Sequence, residues 1–157
     1  MRQERVHFRR FRDVSSFRGA WSPRVELLAD YLNIKGKHVD KIYCVDWGMA
    51  HQLAALCQPD IGRKIRDKWP TFKDWSAQKP DAQAAVKATF LPDLKALYLT
   101  FTEENSVFPD ARRHFLQMNS LAGNAARPVT FVPPALGEVY QVFESGTGAT
   151  DESIRDK

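Results

Sequence analysis

The chain has 157 residues, 43% of them hydrophobic and 27% charged, with a formal net charge of +4. This length suits one domain, and the composition supports a packed core and excludes wholesale disorder. No apolar run approaches the ~20 residues that cross a bilayer, and no apolar segment of secretory type follows Met1-Arg2-Gln3-Glu4-Arg5, so the polypeptide taken alone reads as soluble.

The positive charge is concentrated at the start. Residues 1–24 carry seven arginines against Glu4 and Asp13, and the rest of the chain is close to neutral. Residues 1–20 show no sustained period and read as a basic arm, with Phe8, Phe11 and Phe17 set among the arginines. Such an arm fits phosphate contacts, anionic lipid headgroups or a plain solvated segment. No helix-turn-helix, zinc or RNP motif accompanies it, so nucleic acid is the least favoured partner.

Ser22-Pro23 supplies a helix start, since serine caps well and proline suits the first helical position. Val25, Leu28, Ala29 and Leu32 then fall on one face, and Gly36 ends the helix. Lys41 to Val45 is the first strand. Gly48 to Gln58 reads as a helix with Met49, Leu53, Leu56 and Cys57 inward, closed by Pro59-Asp60 and Gly62. Ile61 to Lys68 contains a short, charged edge strand. Trp69 to Trp75, with three large aromatics, reads as an ordered loop.

Pro80-Asp81 opens a helix to about Phe90, with Ala82, Ala85, Val86 and Phe90 inward, and Pro92-Asp93 ends it. Ala96 to Phe101 is a strand, and Thr102 to Ser106 a polar loop. Phe108-Pro109-Asp110 starts a helix that buries Ala111, Phe115, Met118 and Ala122 and stops at Gly123. Pro128 to Val132 and Glu138 to Phe143 form a closing antiparallel hairpin around a Pro133–Gly137 turn. Residues 145–157 read as a disordered tail. The alternation of strands and helices predicts a single α/β domain over residues 21–144. It is a small Rossmann-like three-layer unit with a mostly parallel sheet and a C-terminal antiparallel hairpin. It lacks both G-x-G-x-x-G and Walker A, so no nucleotide cofactor is implied.

The most informative stretch is Val45-Asp46-Trp47-Gly48-Met49, where a strand ends and a helix begins. Ligands of α/β proteins collect at that kind of corner. Asp46 is a candidate ligand-binding carboxylate or a helix cap, and Trp47 a sugar-stacking ring or a core aromatic. His51 lies one turn into the helix, where it could pair with Asp46 or stay at the surface. Glu103 and Glu104 follow a strand and belong to the same rim, as paired carboxylates or a solvated loop. No serine or cysteine stands at a nucleophile elbow, so no catalytic residue is assigned. His38 and His114 lack metal-ligand spacing, and no metal is expected. Cys44 and Cys57 read as buried reduced thiols, although a bridge between them is geometrically possible.

Three blocks carry a family resemblance: Trp21-Ser22-Pro23 with Leu28-Ala29-Asp30-Tyr31-Leu32; Ile42 to Gly48 with Gln52, Leu53 and Leu56; and Leu99-Thr100-Phe101 through Val107-Phe108-Pro109 and Phe115 to Glu138–Phe143. Together, over roughly residues 20–144, they resemble the C-terminal soluble domain that follows the membrane spans of some bacterial polytopic glycosyltransferases. Those enzymes belong to the protein-mannosyltransferase and aminoarabinose-transferase-like superfamily. The resemblance implies a noncatalytic accessory domain, or a detached fragment, at the extracytoplasmic face of a bacterial membrane. Its partner would be the membrane-embedded portion, with a polyprenyl-phosphate sugar or acceptor nearby. In that superfamily the catalytic acid lies in a loop between membrane helices, which has no counterpart among these residues. A free-standing small-molecule or sugar-binding α/β domain is the alternative, and a nucleic-acid-associated protein using the basic N-terminal arm is the second.

Overall fold

The computed structural model describes residues 24–92 and 94–146. The basic arm, the Ser22-Pro23 helix start, Trp21, Asp93 and residues 147–157 lie outside the described residues.

Helix α1 (Val25–Lys35) buries Leu28, Ala29, Tyr31 and Leu32. Its last turn closes through the Gly36 N–H to Leu32 O, and Lys64 Nζ donates to Gly36 O and Val39 O at 2.8 Å each. A cation at the carbonyl end of a helix satisfies groups that the helix itself leaves open. Strand β1 (Lys41–Cys44) leads to α2 (Met49–Leu56) and the single turn α3 (Pro59–Gly62). Strand β2 (Ile65–Asp67) follows, then α4 (Trp69–Lys73), α5 (Ala82–Thr89) and β3 (Ala96–Phe101). The chain ends with α6 (Pro109–Leu121), β4 (Ala126–Pro128), the turn α7 (Pro134–Gly137) and β5 (Tyr140–Ser145).

The five strands form one mixed sheet in the order β2-β1-β3-β5-β4. β1 pairs in parallel with β2 and with β3, with Tyr43 opposite both Arg66 and Tyr98. β5 is antiparallel to both β3 and β4. Four strands therefore run to the same rim, and β5 alone runs back from it. The fold is α/β with a parallel centre, as expected. The reversed strand is internal, however, and β4 takes the edge.

Successive strand residues face opposite ways, which divides the apolar residues into two cores. Ile42, Cys44, Leu97, Leu99, Phe101, Tyr140 and Val142 pack with α1 and α2. Tyr43, Val45, Ala96, Tyr98 and Phe143 pack with α4, α5 and α6. β3 is buried on both faces, which explains why Thr100 is its single polar residue. The second core is aromatic: Phe115 lies 5.0 Å from Phe143, 5.5 Å from Tyr98 and 5.5 Å from Phe72, ring centre to ring centre. Tyr98 donates its hydroxyl to Thr89 O at 2.8 Å, and burial pushes its pKa up to about 12.

Several expectations shift. Trp69 to Lys73 is a helical turn, not a loop. The Trp69 N–H is capped by Asp67 Oδ1 at 3.0 Å, Pro70 stands in the first turn, and Phe72 is buried. Leu56 faces solvent, because the chain leaves α2 at Cys57. The buried Cys57 thiol takes the inward position and points at Ala29 O, 3.9 Å away. β4 is three residues long and ends at Pro128, and one further backbone bond, Val129 N–H to Val142 O at 2.9 Å, ties the chain to β5 beyond it. β5 begins two residues later than expected and reaches Ser145, whose buried hydroxyl donates to Leu94 O at 3.2 Å. The structured chain thus runs past 144. Pro134–Gly137 is a helical turn that buries Leu136. Cys44 and Cys57 are buried and unbridged; burial raises both thiols, Cys57 to about 11.

Candidate functional site

Chain direction reverses its lateral course at β1: the chain steps to β2 on one side, then returns to β3 on the other. The carboxyl ends of β1 and β3 therefore flank a switch point, where open α/β sheets place ligands. Asp46 stands there and is almost fully buried. Its Oδ2 accepts the Phe101 N–H at 2.9 Å, and its Oδ1 accepts the Ser106 hydroxyl at 3.0 Å. It does not cap α2. That position belongs to Gly48, at φ 84°, a left-handed conformation in which an L side chain is strained. The turn at Gly48 is what directs Asp46 across to β3 rather than along its own helix.

Burial pushes the Asp46 carboxyl up to about 6, against the lowering effect of the Phe101 N–H, the Ser106 hydroxyl and the Arg112 charge. The carboxylate thus ties the β1 corner to the Thr102–Phe108 loop. That loop has internal ties as well: Asn105 and Ser106 N–H groups both donate to Thr102 O at 3.0 Å, and Asn105 Nδ2 donates to Glu138 O at 3.0 Å.

The consequence is an aromatic rim. Trp47 follows β1, Trp69 follows β2 and Phe108 lies beyond β3. Trp47 and Phe108 meet edge to face at 5.9 Å and 80°, and Phe108 meets Trp69 at 5.7 Å. Trp47 is 42% exposed and Phe108 43%. Val107 beside them is also exposed, and Lys73 Nζ lies 4.8 Å from the Trp69 ring centre. Large apolar side chains grouped at the surface mark binding surfaces more often than scattered ones do.

Of the sequence candidates, Asp46 and Trp47 share the corner but face apart, the carboxylate inward and the indole outward. Glu103 and Glu104 are exposed on the adjoining loop, and His51 is exposed on α2. Both Asp46 oxygens have other partners, and among the described residues no hydrogen bond joins Asp46 to His51. The sequence reading missed Phe108, read as a helix start, and Trp69, read as loop. The available signal was positional for two of the three: Trp47 and Trp69 stand within three residues of the ends of β1 and β2, whereas Phe108 lies seven residues past β3, at the start of α6. Ser106 gave none.

Among the described residues, no group of three or more His, Cys, Asp or Glu side chains could hold a metal ion. His114 is engaged elsewhere, with Nδ1 2.6 Å from Phe72 O and its ring against Trp75. No helix among them is long and apolar enough to cross a membrane. Comparison with protein-family models, with curated proteins and with solved structures finds no match.

Proposed function

We propose that this chain is a noncatalytic α/β binding domain whose aromatic rim receives a sugar ring, as an accessory domain or detached fragment of a membrane glycosyltransferase that uses lipid-linked sugar. One observation carries the binding role. Three aromatic rings, two just past β1 and β2 and one at the start of α6, form a cluster at the sheet's switch point, and buried Asp46 fixes the loop that leads to the third. Sugar rings present apolar C–H faces that stack on indole and phenyl rings, while their hydroxyls need acceptors at the edge. Glu103 and Glu104 are exposed on the adjoining loop and suit that second role. The link to a glycosyltransferase rests on the three residue blocks alone.

The same geometry supports the noncatalytic reading. Asp46, whose pKa suits proton transfer near neutrality, has both oxygens engaged and almost no exposed surface. It positions rather than reacts. The test is saturation-transfer-difference NMR with a panel of methyl glycosides, on the native chain and on Trp47→Ala and Phe108→Ala. The reading expects transfer to the sugar C–H protons of at least one glycoside, lost in both variants while far-UV circular dichroism stays native. Transfer that survives both substitutions would place the sugar elsewhere, and its absence from every glycoside would remove the sugar reading.

A further inference from the structure

A second feature of the same rim lies on the far side of β3. A cleft of about 290 Å³ opens between the end of β3, the first turn of α6, the β4–α7 connection and the start of β5. Its lining includes the polar Thr102, Arg112 and Gln141. It also includes the aliphatic Val129, Val132 and Val142, with Pro128, Gly137 and Tyr140 completing it. Arg112 is half-buried and its Nη2 donates to Gln141 Oε1 at 3.0 Å, so a neutral amide holds it in place. Its Nε–H is buried without an acceptor among the described residues. Among the described residues the ion pairs here, Arg24 with Glu138 and Arg113 with Asp110, engage neighbouring arginines; the buried Asp46 carboxyl feels the Arg112 charge, but both its oxygens are taken by Phe101 and Ser106. A guanidinium hydrogen-bonded to a neutral amide, with an Nε–H still open and no carboxylate in direct contact among the described residues, retains donors for a further anion.

We infer that this cleft binds a small amphiphilic anion, with a carboxylate or phosphate on Arg112 and an aliphatic body against Val129, Val132 and Val142. The site is separate from the aromatic rim and stands whether or not the rim binds sugar. Phe131, 79% exposed, stands on the segment between the lining residues Val129 and Val132.

The test is a ¹H–¹⁵N NMR titration of the full chain, reading the Arg112 Nε–H, the Gln141 side-chain amide and the Val129 and Val142 backbone amides. Four probes are used: hexanoate, hexyl phosphate, the neutral hexanamide and inorganic phosphate. Saturable shifts at these groups are expected with hexanoate or hexyl phosphate, the tighter of the two identifying the anionic group. Hexanamide is expected to bind about tenfold more weakly or worse, the loss of one charge-assisted hydrogen bond. Inorganic phosphate alone should bind more weakly than hexyl phosphate. Arg112→Gln should abolish the preference for the anion, and Val132→Phe, which fills the aliphatic side and leaves the guanidinium in place, should abolish binding of both. Equal shifts with hexanoate and hexanamide would overturn the proposal. So would unchanged binding in Val132→Phe, or no saturable shift with either amphiphilic anion.

Discussion

Replacing Asp46 with asparagine isolates the cost of a buried charge. In the folded chain, burial raises the carboxyl from its ordinary 3.8 to about 6. The folded state therefore holds this proton more tightly than the unfolded chain does. The resulting stability is fully present below about pH 4, declines as pH rises through about 6, and is gone above about 7. A shift of about two units at about 1.4 kcal/mol each gives about 3 kcal/mol between those limits. Asparagine keeps the geometry without the charge. Its carbonyl can accept the Phe101 N–H and its amide can donate to Ser106 Oγ, in place of the bonds at 2.9 and 3.0 Å. Urea unfolding by far-UV circular dichroism, at unit steps from pH 4 to 8, separates this group from all others when native and variant curves are subtracted. Asp46→Asn should match the native chain at pH 4 and exceed it by about 2–3 kcal/mol at pH 8. Parallel curves across that range, or a variant weaker at pH 8, would refute the assignment of a strained buried carboxylate.

Other positions give independent checks. Asn119 is buried and clasps β4 to α6, donating Nδ2–H to Ala126 O and accepting the Ala126 N–H, each at 2.8 Å. Asn119→Leu leaves both backbone groups unpaired and should cost about 2–4 kcal/mol in urea unfolding, whereas a change under about 0.5 would mean that solvent reaches the pair. Gly48→Ala forces a Cβ into the left-handed region and should cost about 1–2 kcal/mol, with Gly48→Asn costing less. Cys44 and Cys57, both buried, should resist a thiol reagent in the folded chain, with Cys57 the first to react; rapid labelling of Cys44 in native buffer would contradict its burial.

Much of this architecture can be read from the chain because its central elements have simple patterns. β3 is apolar at five of its six positions because both of its faces are covered, and α6 shows its inward residues between Pro109 and Gly123. The failures have physical causes as well. Aromatic density at Trp69, Phe72 and Trp75 hid a helical turn whose start depends on Asp67. The closing strand is displaced by two residues because hairpin register is set by pairing with β3, which local composition does not encode. At the site, Asp46 and Trp47 were evident from their place at a strand end. The partners that give Asp46 its role lie 55 and 60 residues away, and only the alignment of β1 with β3 brings them together. The gathering of Trp47, Phe108 and Trp69 depends on the same alignment.

The most direct test of the sugar-binding rim is the set of indole N–H resonances during titration with the glycoside that shows the strongest saturation transfer. Trp47 and Trp69 contribute to the rim, whereas Trp75 is buried and its Nε1–H reaches toward Ala82 O. The account predicts saturable movement of the Trp47 resonance, a smaller movement of Trp69, and a stationary Trp75. A stationary Trp47, or equal movement of all three, would contradict it.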